Sequence, residues 1–291
     1  MPNLFLGTSS WNFDDWRGSF YPEKLAKKNQ LSHYATKFNS VEVNTSFYAL
    51  PAPSTLIGWT ETVPSGFTFS LKMPRAISHN KRLKECRPET LAYLDAVRSL
   101  GTMAAPSLLQ LPASLTRQNS GRVLAGYLDW LAQELDGIQL AVEVRSPDLM
   151  TYAFATFLAE RSMALVLVDR SGSADLFDEW LTLIEADKAP TFAFIRWIGD
   201  TDNGPQEYRQ ITQPRDNALD KWADRIVALI QRNVSIYGYM HNPYEGHSPD
   251  SLRRLQARLI ERNLVPPAWP PNDWIAPHKQ DEDSGQLSLF E

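Results

Sequence analysis

Eight short runs of strand-forming residues recur along the chain, most of them followed by a helical pattern. The runs are Leu4–Thr8, Ser40–Asn44, Thr68–Met73, Ser107–Leu111, Leu140–Arg145, Leu165–Arg170, Phe192–Trp197 and Ile236–Asn242. The intervals between them are long enough for helical crossovers. Strands alternating with helices call for a parallel sheet with right-handed connections. The count of eight, with no glycine-rich dinucleotide fingerprint, favours one (β/α)8 TIM-like barrel of the α/β class over an open doubly wound sheet.

The periodic apolar positions predict helices over Gln30–Phe38, Ser54–Thr62, Glu89–Leu100, Arg117–Leu135, Leu149–Arg161, Ala218–Arg232 and Pro249–Arg262, with a shorter, irregular one over Asp175–Ala186. A serine cap is expected at Ser54. Beyond residue 265 the character changes. Val265–Pro271 is proline-rich, His278–Gly285 is polar and acidic, and Gln286–Phe290 is a short, largely apolar run. The expected division is a barrel over 1–271 and a flexible tail over 272–291.

At 291 residues the chain exceeds the roughly 250 that one such barrel needs. A single cysteine, Cys86, excludes a disulfide framework and cysteine-rich metal sites. The net charge of −5 argues against whole-surface binding of nucleic acid but not against a local basic patch. Met1–Leu6 carries no basic segment leading into an apolar run, and no stretch reaches the roughly 18 apolar residues that span a bilayer. The expectation is a cytoplasmic chain with no membrane partner.

Polar residues sit late in most of the predicted strands: Glu42 and Asn44, Lys72, Gln110, Glu143 and Arg145, Asp169, Arg196, and His241 or Asn242. Side chains two apart share a strand face, so Glu42 lies with Asn44 and Glu143 with Arg145. In this fold, function lies at the C-terminal strand ends. The competing reading is an internal ion-pair network that closes the barrel mouth. The third strand leads into a basic loop holding Arg75, His79, Lys81, Arg82, Lys84 and Arg87. Together with Lys72, Arg145, Arg170 and Arg196, it points to an anionic ligand carrying phosphate or carboxylate, against the alternative of a solvated basic loop. Aromatic residues near the strand ends, Trp11 and Tyr48 among them, suit stacking on a ligand or lid packing.

Glu42, Glu143, Asp169 and Lys72 are the candidate catalytic groups. Asn44, Tyr48, His79, Gln110, Arg145, Arg196, His241, Asn242 and Trp11 are the candidate ligand contacts. No cofactor is indicated. The five histidines lack zinc-helix spacing, although His241 and His247 flank Glu245, and a carboxylate site for a divalent metal stays open.

The segments Gly7-Thr8-Ser9-Ser10-Trp11, Trp16-Arg17-Gly18, Phe20-Tyr21-Pro22, Val41 to Tyr48, Pro64 to Phe67 and Lys72 to His79 resemble the opening of the YecE-like family (domain of unknown function 72). Gln110-Leu111-Pro112, Glu143-Val144-Arg145, Asp169, Arg196 and Asn242 to His247 continue the resemblance to about residue 265. It implies a TIM-like barrel and supplies no reaction. Ser10 stands where the family often has glycine. Ser146-Pro147-Asp148 stands where an aromatic often follows the fifth strand. Separately, Gln286, Leu287, Ser288, Leu289 and Phe290 resemble the pentapeptide by which bacterial replication and repair proteins bind the DNA polymerase sliding clamp.

Three functions remain open from sequence. One is an enzyme acting on a phosphorylated small molecule or nucleic acid, brought to DNA by the clamp. Another is a sugar or sugar-phosphate isomerase or glycoside hydrolase. The third is a non-catalytic barrel that only binds its ligand.

Overall fold

The computed structural model of the chain describes residues 3–277. All eight predicted strands are present, as β1 (Leu4–Ser9), β2 (Ser40–Val43), β3 (Thr68–Leu71), β4 (Ser107–Gln110), β5 (Leu140–Glu143), β6 (Ala164–Arg170), β7 (Phe192–Gly199) and β8 (Ser235–Met240). Every pairing is parallel, in the order β3-β2-β1-β8-β7-β6-β5-β4. Parallel bridges Phe69–Ala104 and Lys72–Leu108 join β3 to β4. The Met73 amide donates to the Leu108 carbonyl at 2.9 Å. The sheet therefore closes on itself at the β3–β4 seam, though less regularly than elsewhere, and the TIM-like barrel read from the sequence is what forms.

The helices are α1 (Gln30–Ala35), α2 (Pro53–Thr62), α3 (Arg87–Ser99), α4 (Arg117–Glu134), α5 (Tyr152–Ala159), α6 (Phe177–Glu185), α7 (Asp216–Gln231) and α8 (Ser248–Glu261). Ser54 does not cap α2. The helix begins one residue earlier at Pro53, whose fixed φ and missing N–H suit a first helical position. Thr116 caps α4 through a reciprocal box in which Thr116 Oγ1 accepts from the Asn119 amide and Asn119 Oδ1 accepts from the Thr116 amide, both at 3.1 Å. The predicted fifth helix divides into a short turn over Pro147–Leu149 and α5 proper, because Thr151 supplies a new cap for the Phe154 amide. Arginines at helical spacing on α8 and its C-cap (Arg254, Arg258 and Arg262) meet aspartates at the same spacing on α7 (Asp216, Asp220 and Asp224). This ladder fixes the register of the last two helices.

At Gly7 on β1, a Cβ would lie 1.9 Å from the Ser40 carbonyl oxygen, so only glycine lets β1 and β2 approach this closely. The barrel floor is partly polar. Ser40 Oγ, Thr68 Oγ1 and Tyr239 Oη interact at 2.9 Å and satisfy one another in full burial. On the outside, Trp269 donates to the Ala35 carbonyl at 2.9 Å, and Trp274 and Ala276 pack onto the body of the domain.

Candidate functional site at the barrel mouth

Arg196, near the end of β7, organises the C-terminal mouth. Its Nε and Nη2 donate to Glu42 Oε2 and Oε1 at 2.7 and 2.9 Å, and its Nη1 donates to Glu143 Oε2. Neither β2 nor β5 neighbours β7 in the sheet, so these bonds cross the lumen. All three side chains are at most 2 % exposed. Asn44 donates to Glu42 Oε1 at 3.0 Å and to Ser9 Oγ. Arg145 Nε donates to Glu143 Oε1 at 2.8 Å.

Every oxygen of both carboxylates thus has an N–H donor. Burial works against their charge, but the guanidinium of Arg196 outweighs it and holds both well below the ordinary carboxylate range. For Arg196, burial is outweighed in turn by Glu143 and Glu42, which fix it as a cation. Carboxylates held in this state are poor proton donors. The group acts as a rigid, charged platform beneath the mouth.

Lys72, which follows β3, projects into the same space. Its Nζ donates to Gln110 Oε1 at 2.6 Å and lies 4.4 Å from the ring centroid of Phe47. Burial and the neighbouring Arg196 lower its pKa to about 8, against the opposing pull of Glu42 and Glu143. His79 stands edge-on to Phe47 with ring centroids 5.0 Å apart, and its Nδ1 is 2.8 Å from Ser78 Oγ. Burial, then Lys72, Arg75 and Arg145, favour its neutral form. His241 follows β8, with Nε2 3.6 Å from Glu42 Oε1 and no hydrogen-bond partner on that nitrogen. Burial and Arg196 lower its pKa to about 3, so it is neutral at physiological pH.

Glu42, Asn44, Lys72, Gln110, Glu143, Arg145, Arg196 and His241 therefore gather as one group, with His79 at its rim. Four other expected residues stand apart. Asp169 faces the helical layer, where it accepts from Trp222 Nε1 at 2.8 Å and Tyr244 Oη at 2.9 Å and lines a separate cleft of about 240 Å³. Register explains this: Asp169 lies beside Trp197, whereas Val168 lies beside Arg196. Asn242 is buried below the β8–α8 turn, its Oδ1 accepting from Trp16 Nε1, the Ser248 amide and Ser248 Oγ, so this oxygen holds the loop, while its Nδ2 has no hydrogen-bond partner among the described residues. Trp11 packs edge-on against Trp59. Tyr48 is 78 % exposed and touches Phe47 at the periphery.

The basic loop is less free than its composition suggests. Lys81 is held by Glu89 Oε1 and the Glu85 carbonyl, Arg82 by Ser114, and Arg87 lies over the ring of Trp130. In its place, Arg170 joins the site. It follows a register shift after Asp169, lines the cleft beside Asp169, donates through Nε to Ser173 Oγ at 3.0 Å and feels the charges of Arg145, Glu143 and Arg196. Ser9 and Phe47 complete the site's lining. The Ser9–Glu42 register was the available signal for Ser9. Among the described residues no group of three His, Cys, Asp or Glu side chains is placed to hold a metal ion. No helix of the described residues is long and apolar enough to cross a membrane.

Residues 5–273 match the family model described as "Protein of unknown function DUF72". The chain belongs to the DUF72 family. It is 26% identical over 268 residues to the UPF0759 protein YecE of Escherichia coli K12, covering 87% of this chain and 91% of that one. A crystal structure of a DUF72 family protein from Thermotoga maritima superposes with a TM-score of 0.70 at 22% identity, over 89% of this chain and 99% of that one. A xylose isomerase-like TIM barrel/4-hydroxyphenylpyruvate dioxygenase fusion protein superposes with a TM-score of 0.51 at 15% identity, over 93% of this chain and 46% of that one. This last likeness concerns the DUF72 fold alone.

Proposed function

We propose that the mouth binds a small anionic substrate, a phosphorylated or carboxylated sugar-like molecule, and that the protein is an enzyme acting on it. One observation carries this reading. Four cations (Lys72, Arg145, Arg170 and Arg196) accompany only two carboxylates, and both carboxylates are occupied by Arg196, Arg145 and Asn44. Arg145 uses only Nε on Glu143, its side chain is 30 % exposed, and its two Nη groups remain for a ligand. A forked donor of this kind matches phosphate or carboxylate oxygens. A small ligand is favoured over nucleic acid because three of the five loop cations that would extend a basic track, Lys81, Arg82 and Arg87, are tied to Glu89, Ser114 and Trp130.

The test is titration calorimetry with inorganic phosphate and glucose 6-phosphate on the intact protein and on Arg145→Met and Arg170→Met variants. Binding that weakens at least tenfold in either variant supports the site. Unchanged affinity in both places it elsewhere. Arg196→Met is a poor probe, since it would strand two buried carboxylates.

We also propose that Gln286-Leu287-Ser288-Leu289-Phe290 docks on the DNA sliding clamp, which would place the enzyme in DNA metabolism. These residues lie outside those the structure describes, and the support is the sequence pattern alone.

A further inference from the structure

Lys72 differs from the other cations of the mouth in ways that suit covalent chemistry. It is 8 % exposed, yet no carboxylate lies within ion-pair distance of it among the described residues. Its only hydrogen-bond acceptor among them is Gln110 Oε1, and the face of Phe47 covers one side of the Nζ group. Its backbone is fixed, because the Lys72 amide donates to Ser46 Oγ at 2.9 Å and Ser46 Oγ donates to the Lys72 carbonyl at 2.8 Å. A buried lysine set among guanidinium groups loses part of the stabilisation of its ammonium form. That is the environment in which lysine becomes a nucleophile. The charged groups acting on it are Arg196 from β7, Glu42 from β2, and Glu143 and Arg145 from β5 and the residues after it. Their balance leaves a substantial neutral fraction near physiological pH.

We propose that Lys72 forms an imine with the carbonyl carbon of a phosphorylated aldehyde or ketone. This rests on the anion-binding reading above, with the phosphate held by Arg145 and Arg170 at the rim and the carbonyl reaching Lys72 below. The neutral amine attacks the carbonyl carbon. An N–C bond forms, the C=O π pair moves to oxygen, and the oxygen is protonated to give a carbinolamine. The C–O bond then breaks and water leaves. Relative to the starting ammonium, two protons depart in that water, and the single positive charge passes to the iminium nitrogen. No oxidant or reductant is required. The iminium lies above the Glu42–Arg196–Glu143 platform, where Arg196 already takes up much of the carboxylates' negative charge, so the iminium is only partly neutralised and remains an electron sink.

The test treats the full chain with glyceraldehyde 3-phosphate or with glyceraldehyde, in the presence of sodium cyanoborohydride, and maps the reduced adduct by peptide mass spectrometry. Lys27 and Lys221, with side chains 63% and 59% exposed, are the internal references. The expected result is modification of Lys72 at least tenfold faster than of either reference, and at least tenfold faster with the phosphate ester than with the free aldehyde. Lys72→Arg, which keeps the charge, and Lys72→Met should both lose the adduct while the reference sites react as before. Since the mapping is made on the unaltered protein, poor folding of a variant does not affect it. If Lys72 reacts no faster than Lys27 and Lys221 while calorimetry still shows phosphate binding, the imine is refuted and the anion site stands. If Lys72 reacts rapidly with both aldehydes alike and phosphate does not bind, the imine stands and the anion site falls.

Discussion

Arg196 and Glu42 are bound face to face across the barrel, with two strands between them in the sheet and N···O distances of 2.7 and 2.9 Å. With Glu143 they form a closed unit of one cation and two anions, in which the cost of burying each charge is offset by the others. Breaking the unit at one member should therefore cost more than removing it altogether.

Arg196→Met should destabilise the protein by about 3–5 kcal/mol, because it leaves two buried carboxylates close together without their shared cation. Adding Glu42→Gln and Glu143→Gln to that variant should recover a large part of the loss. Urea unfolding followed by circular dichroism measures both. A single variant as stable as the parent would show that the unit does not hold the barrel together.

The pH dependence follows from His241, Glu42 and Glu143. His241 has a folded pKa of about 3 against 6.5 for the free side chain, so the unfolded chain binds more protons between those values. Stability is thus fully present above pH 6.5 and falls as the pH drops through that window, by about 2 kcal/mol between pH 7 and pH 5 from this residue alone. The depressed carboxylates add their own loss below roughly pH 4.5, their ordinary value, as the unfolded chain takes up protons that the folded one refuses. His241→Gln should flatten the upper part of the curve and leave the lower part in place. Urea midpoints measured from pH 4 to pH 8 are the check, and identical curves for the two proteins would contradict this account.

The barrel was legible because alternation and helical periodicity carry it directly. Each predicted run became a strand, with ends differing by one or two residues where a polar side chain turned into the mouth or a loop began. Gathering of the late polar residues was also legible, since Glu42, Lys72, Gln110, Glu143 and Arg196 occupy one end of successive strands. Which of them pair was not, because Arg196 reaches partners on strands it does not neighbour, and only closure brings them together. Asp169 and Arg170 show a finer limit. Adjacent residues on a strand face opposite ways, so Asp169 turns away from the face that Val168 shares with Arg196, and the register shift after Asp169 then places Arg170 in a way that alternation does not give, whereas charge type alone had selected both. The place of Asn242 was not legible for another reason: it lies past the end of β8, in a turn held by a hydrogen bond from Trp16, a residue far away in sequence.

Thr116→Ala should cost about 1 kcal/mol, because the side chain closes one half of the box that starts the longest helix. The loss should appear as a lower urea midpoint with an unchanged slope. Thr116→Ser, which keeps the acceptor, should stay near the parent. Equal losses in the two variants would mean that the threonine methyl group, rather than the cap, is what matters.

Residues 286–290 lie outside the described part of the chain. Leu287, Leu289 and Phe290 are large apolar side chains that follow an acidic run, Asp281-Glu282-Asp283, and nothing in the neighbouring sequence provides them with a core. A linear peptide with glutamine first and a leucine–phenylalanine pair last can place polar contacts at the rim of a groove and apolar groups inside it. Such a short segment buries little area and gives up ordering entropy on binding, so its affinity for the clamp should be weak, on the order of micromolar. Fluorescence anisotropy with purified bacterial sliding clamp measures it, using the intact chain, a form ending at Asp283, and a Leu289→Ala/Phe290→Ala variant. The intact chain should bind, and the other two should weaken at least tenfold, because the two lost side chains are the ones that fill the groove. Phosphate affinity at the barrel mouth should be the same in all three, since the tail and the Arg145 site act separately. Equal clamp binding by all three proteins, or none by the intact chain, would refute the assignment.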